Sequence, residues 1–272
     1  MVAPVGRPAS GRLGSWDTIA LATALLAGAL VAWIISVARM RGMDEGPGTD
    51  LGGLGWYLGV WVTMMAAMML PSVAPMVLFF AHVSRQRAQR GSEYVPTWNF
   101  VAAYFAVWTA YGLVGYGLYR IITAFDTGFL AWGRAGPYVA GGAIAAAGLY
   151  EVTPLKRVCL RHCRSPLHFL LTGWRGGRVG ALRMGGEHGA YCLGCCWGLM
   201  VILFALGVMS LLWMALVAAV IFVQKVAPRA GGLSVPFAVV FIVFGIWVAA
   251  APGSVPGLSQ PGAPGMQMSP MK

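Results

Sequence analysis

The chain has 272 residues, of which 58% are hydrophobic and only 10% charged, well below the roughly 25% charged share of a soluble domain. This composition excludes a large soluble catalytic domain, and the net charge of +11 lies in short basic stretches between apolar runs, which argues against a nucleic-acid-binding face. Most of the chain is solvated by a lipid bilayer, and its 38 glycines and 11 tryptophans suit helices that pack closely and anchor at the lipid-water boundary.

A spanning helix needs about 20 mostly apolar residues. The first such run, Thr18 to Ala38, is longer than the roughly 7 to 15 residues of a cleavable signal core, so it reads as a transmembrane helix following a cytoplasmic segment, 1–17. Further spans are expected at 56–80 and 99–122. A shorter one, 137–151, carries Gly141, Ala145 and Gly148 along one face, a spacing suited to close helix packing. The apolar stretch from Cys192 to Gln224 would reach about 50 Å as one helix against a hydrocarbon core of about 30 Å. It is therefore expected to fold as two segments turning near Gly207 to Ser210. A last span, 235–251, opens with Ser234 and Pro236, a cap and a first-turn proline. The expected fold is all-α, a polytopic transmembrane bundle of about six or seven spans. The domain 18–251 includes a Cys/His loop at 153–196, and a disordered tail rich in Met, Pro and Gly follows at 252–272.

Cytoplasmic loops carry the excess of Lys and Arg. With the amino terminus inside and seven spans, the inside segments hold 14 of the 19 Lys and Arg. The chain is therefore expected as a multi-pass protein of the bacterial cytoplasmic membrane with the Cys/His cluster on the cytoplasmic side; with 192–224 as a single span the count becomes 13 against 6, which leaves the side of the carboxyl terminus open.

All five cysteines fall between Cys159 and Cys196. In a helix, Cys159, His162 and Cys163 project from one face, and so do His188, Cys192, Cys195 and Cys196. Thiolate and imidazole select zinc, Cu(I) or iron-sulfur chemistry, and a chain with 8 carboxylates offers little to calcium or magnesium. Scattered cysteines would read as small packing residues, but this clustering beside two histidines points to a metal. Cys192-Leu-Gly-Cys195 is also a C-x-x-C, the pattern of a thiol oxidoreductase. Against that reading, it leaves Cys159, His162 and Cys163 without a task.

A second candidate set is Met64, Met65, Met68 and Met69, two thioether pairs at i, i+4, followed by Pro71 and Pro75. Thioethers favour Cu(I), although methionine also fills helix interfaces. Met266, Met268 and Met271 form a further group in the tail. His82, His168, Glu151 and Asp126 read as interfacial or boundary residues. No nucleophile-base pair, phosphate loop or catalytic carboxylate pair is present, which argues against an enzyme.

At these same residues the chain resembles a family of metal-binding integral membrane proteins of bacteria, some of them regarded as copper chaperones of a tyrosinase-like polyphenol oxidase. The matching pieces are Met64 to Met76, Tyr150 to Pro166, Gly180 to Met200, and the region through Gly207-Val-Met209 and Trp213-Met214. The resemblance implies a membrane protein that binds copper at Cys159, Cys163, Cys192, Cys195 and Cys196 and serves a copper-requiring client. His162 and His188 fall in the same motifs. The chain departs from the family pattern at Gln224, where a Glu precedes the lysine that is Lys225 here, and at Glu151 and Glu187, where uncharged or basic residues are usual. A copper chaperone is thus the expected function. A structural zinc protein, a membrane thiol oxidoreductase and a copper transporter are the alternatives.

Overall fold

The computed structural model describes residues 15–41, 50–125, 128–129, 134–208, 210–227 and 232–255. The first 14 residues, Asp126, Met209 and the tail methionines Met266, Met268 and Met271 lie outside the described residues. Among those described, the chain forms nine α-helices and no strand: α1 (Ser15–Met40), α2 (Leu54–Ala88), α3 (Thr97–Phe125), α4 (Gly136–Glu151), α5 (Pro154–Arg164), α6 (Pro166–Gly173), α7 (Gly177–Leu206), α8 (Leu211–Val226) and α9 (Ser234–Ala250).

Four of these, α1, α2, α3 and α7, are long and apolar enough to cross a membrane by length and composition, fewer than the six or seven expected. The shortfall has a local cause. The apolar run after Cys192 breaks at Gly207, whose φ of 110° only glycine adopts readily, and the helix beyond it has 16 residues. Helices α4 and α9, with 16 and 17 residues, are likewise shorter than the roughly 20 of a typical span. The turn near Gly207 to Ser210 lies where the sequence places it.

The stretch 153–196, read above as a Cys/His loop, is itself largely helical. Thr153 caps α5 by accepting a hydrogen bond from the Lys156 amide at 3.3 Å, with Pro154 in the first turn. Pro166 ends that helix and opens α6. Helix α7 starts at Gly177, well before Cys192, so His188 and the three cysteines after it share one continuous helix.

Helices α2 and α7 form the centre and are largely buried, whereas α1 and α3 are largely exposed and turn aliphatic side chains outward. Trp61 of α2 donates its indole N–H to the Trp108 carbonyl at 2.9 Å and fills the space left by Gly112 of α3, where a Cβ would collide with the indole. At one end of the bundle, Asp50 accepts from the Gly52 amide at 3.0 Å and the Tyr119 hydroxyl at 3.1 Å. These two donors hold its carboxyl below the usual carboxylate range.

Helices α4 and α9 meet through small residues, as the spacing of Gly141, Ala145 and Gly148 predicts. A Cβ on Gly141 would strike the Gly245 carbonyl and come within 2.8 Å of the Ala249 Cβ, and a Cβ on Gly148 would lie 3.0 Å from the Ala238 carbonyl. Gly141→Leu is therefore expected to push α9 away and cost about 1–3 kcal/mol. Gly142→Leu, whose added Cβ meets nothing within 4 Å, should leave the thermal midpoint in detergent unchanged.

Candidate metal centre

Three helices bring the chemistry together. Helix α5 packs on α7 and carries Cys163 onto the α7 cysteines, while the carboxyl end of α8 brings Lys225 alongside. The sulfurs of Cys163, Cys192 and Cys195 lie within 4.8 Å of one another. Cys195 Sγ is 3.7 Å from Cys163 Sγ and 3.3 Å from Cys196 Sγ, and it donates to the Cys192 carbonyl at 3.1 Å. Ligands about 2.3 Å from one ion stand a little under 4 Å apart, so the Cys163–Cys195 spacing suits a shared metal. All five cysteines are free thiols. Cys192, Cys195 and Cys196 are buried and Cys163 is half-buried, so access to the centre lies on the α5 side.

Cys196 adjoins the trio through Cys195, and the other expected ligands have surroundings of their own. Cys159 Sγ, one turn from Cys163, sits against Gly194, where an added Cβ would lie 2.7 Å from the sulfur. Burial pushes this thiol above its ordinary value. His162 stacks flat on Tyr191 at 4.3 Å and 4°, and its Nδ1 is 2.9 Å from the Val158 carbonyl. His188 is 3% exposed among Phe100, Tyr104 and Phe169, and its Nδ1 has no hydrogen-bond partner among the described residues. Met64, Met65, Met68 and Met69 are all buried, and Met69 reaches toward the centre. His82 is half-buried near the end of α2 and His168 is exposed on α6, and neither belongs to the grouped ligands.

Comparison with known families bears on what this sulfur centre holds. Residues 58–248, more than two thirds of the chain, match the PpoB2 copper chaperone family. The chain belongs to that family. It is a family of chaperones rather than catalysts, consistent with the lack of enzymatic motifs. Comparison with curated proteins and with solved structures returns no match.

In this member of the family the trio is surrounded by groups that spacing along the chain does not reveal. Lys225 donates to Cys192 Sγ at 2.8 Å and lies 4.0 Å from Met69 Sδ. The Tyr104 hydroxyl is 3.0 Å from the same Cys192 sulfur, and Tyr150 donates to the Gly194 carbonyl at 2.5 Å behind the cysteines. The one available sequence signal was Lys225 itself, a charge close to an apolar run. Tyr104 and Tyr150 carry none, because tyrosines are ordinary at membrane boundaries.

Gln224 and Glu151, far apart in the sequence, meet in space. Gln224 donates to Glu151 at 2.9 Å, and Glu151 is ion-paired with Lys156; all three are at least 97% buried. Glu187 is more exposed and pairs with Arg175 and Arg183, each at 3.2 Å, an arrangement worth at most about 1 kcal/mol.

Proposed function

We propose that this chain is a membrane-embedded chaperone that holds one Cu(I) on Cys163, Cys192 and Cys195 and passes it to a copper-requiring client of the polyphenol oxidase kind. The observation that carries the reading is the trio itself: three sulfurs from two helices within 4.8 Å, in a copper chaperone family, with one of the three partly open to the outside. Soft thiolates select Cu(I), and low coordination leaves room for an incoming ligand from a partner. Cys163 is the exchange ligand, while Cys192 and Cys195 retain the ion. Cys159, Cys196, His162 and His188 flank it as reserve donors.

The membrane arrangement we favour completes the four long helices with α4, α8 and α9, giving seven crossings in the domain 18–251. The segment 1–17 and the basic connections lie in the cytoplasm, and the tail 252–272 lies outside. Asp17 pairs with Arg85 at 2.7 Å, and Arg87 lies 5.0 Å over the Trp174 ring. These contacts gather the start of α1, the end of α2 and the α6–α7 connection, with their arginines, at one end of the bundle, which supports a shared cytoplasmic face. The exposed aliphatic side chains of α1, α3 and α9 support a lipid surround.

Metal analysis of full-length protein purified in detergent under reducing conditions tests this reading. The expected result is Cu(I) bound at about one ion per chain and surrendered to an apo client or a competing thiol. Cys196, next to Cys195, offers the fourth sulfur that a structural zinc site needs. Tightly held zinc whose removal unfolds the protein would overturn the chaperone reading in favour of that clamp. Labelling Cys163 in intact cells with an impermeant thiol reagent checks the side: protection is expected, and modification would place the centre on the outer face.

A further inference from the structure

The place occupied by the Lys225 ammonium has the donor set of a soft-metal site. Nζ lies 2.8 Å from the sulfur of Cys192 and 4.0 Å from the thioether of Met69, with the Tyr104 hydroxyl 3.0 Å from the same cysteine sulfur. Thioethers are poor hydrogen-bond acceptors, so a buried methionine sulfur turned toward a cation has little to offer the lysine. It has a good deal to offer Cu(I), which takes thiolate and thioether in low coordination.

We propose that Cys192 and Met69 form a second Cu(I) station, occupied by the Lys225 ammonium until copper arrives, and that Lys225 thereby gates movement of the ion from the cysteine trio to the methionine helix α2. This rests on the reading of the trio as a Cu(I) site. Cys192 belongs to both stations, so the ion moves by ligand exchange: the bonds to Cys163 and Cys195 break as the bond to Met69 forms. Copper stays Cu(I) throughout, and no electron is transferred.

Charge makes the lysine a gate. Cu(I) and an ammonium each carry one positive charge, so exchanging one for the other beside the same thiolate leaves the local charge unchanged. The ammonium and the ion cannot share the position between Cys192 and Met69, so the lysine must leave before the ion enters. The lysine has somewhere to go: it lies in the last turn of α8 and is partly exposed. Its long side chain can move the ammonium toward the helix end, where the terminal carbonyls favour a cation. Met65, one turn before Met69, and Met76, two turns after it, share its face of α2 and are 0% and 2% exposed.

Selenomethionine labelling of the full-length protein makes the station visible, because selenium and sulfur differ as neighbours in copper X-ray absorption. With one equivalent of Cu(I), wild type should show sulfur neighbours from the trio. With two equivalents, a copper-selenium contact should appear and should be absent in Met69→Leu. Lys225→Leu should bind the second equivalent at least about tenfold more tightly than wild type, whereas Lys225→Arg, which keeps the charge, should not. The absence of any selenium contact in wild type at two equivalents, or its persistence in Met69→Leu, would overturn the proposal even if Lys225→Leu fails to fold. Absence of sulfur neighbours at the first equivalent would instead remove the trio reading, and the proposal with it.

Discussion

Replacing Cys192 by serine is expected to lower Cu(I) affinity by more than about 100-fold, beyond the 10- to 100-fold loss typical when a residue that merely orients a ligand is removed. Cys192 is fully buried, belongs to the trio and is the sulfur that Lys225 and Tyr104 address. Its loss removes a ligand and leaves the ammonium of Lys225 facing a hydroxyl. Cys195→Ser should be comparably severe, because its sulfur touches both Cys163 and Cys196. Cys159→Ser should cost less than about tenfold, since that sulfur sits against Gly194 outside the trio. Competition with a chromophoric Cu(I) chelator ranks the variants. An equal loss in Cys159→Ser and Cys192→Ser would mean that the ion is held by the whole cysteine set rather than by three of its members.

The largest effect on stability is expected at Lys156, three residues before Cys159 in the first turn of α5. Lys156→Met removes the ammonium paired with Glu151 and leaves a carboxylate that is 2% exposed and, among the described residues, hydrogen-bonded by the Gln224 amide alone. Breaking one partner of a buried pair costs about 3–5 kcal/mol. The double variant Glu151→Leu with Lys156→Met should recover most of that loss, because apolar groups of similar size often replace a buried pair at little cost. Thermal and denaturant unfolding in detergent, followed by circular dichroism, measures both. The network joins the end of α4 to the start of α5 and, through Gln224, to the residue before Lys225. Copper affinity in the single variant should therefore fall together with stability and return in the double variant. A double variant that regains stability but not copper would assign the pair a role in placing Cys163 and Lys225.

The division between what was legible in the chain and what was not follows from the range of each interaction. Hydrophobic runs and glycine spacing are local, so the all-helical class, the break near Gly207 and the α4–α9 packing through Gly141 and Gly148 could be read directly. Run length overstated the number of membrane-length helices, because hydropathy continues through residues at which the backbone stops being helical. The first turns of α7, residues 177–187, are polar and glycine-rich and carry no hydropathy signal; they pack closely on α3, where a Cβ on Gly185 would strike the Phe100 carbonyl.

For the site, soft-ligand composition and i, i+3, i+4 spacing named all five cysteines and both flanking histidines, because those patterns depend only on helix geometry. They did not rank them. Which sulfurs meet depends on how α5 lies across α7, and that crossing brings Cys163, Cys192 and Cys195 together while leaving Cys159 against Gly194, His162 on Tyr191 and His188 in an aromatic cage. An all-α, lipid-suited chain with one concentrated thiol cluster could thus be read from local patterns. Which three thiols gather, and that Lys225 and Met69 stand beside them, came from the folded chain, because the contacts of Lys225 with Cys192 and Met69 join residues 33 and 156 positions apart.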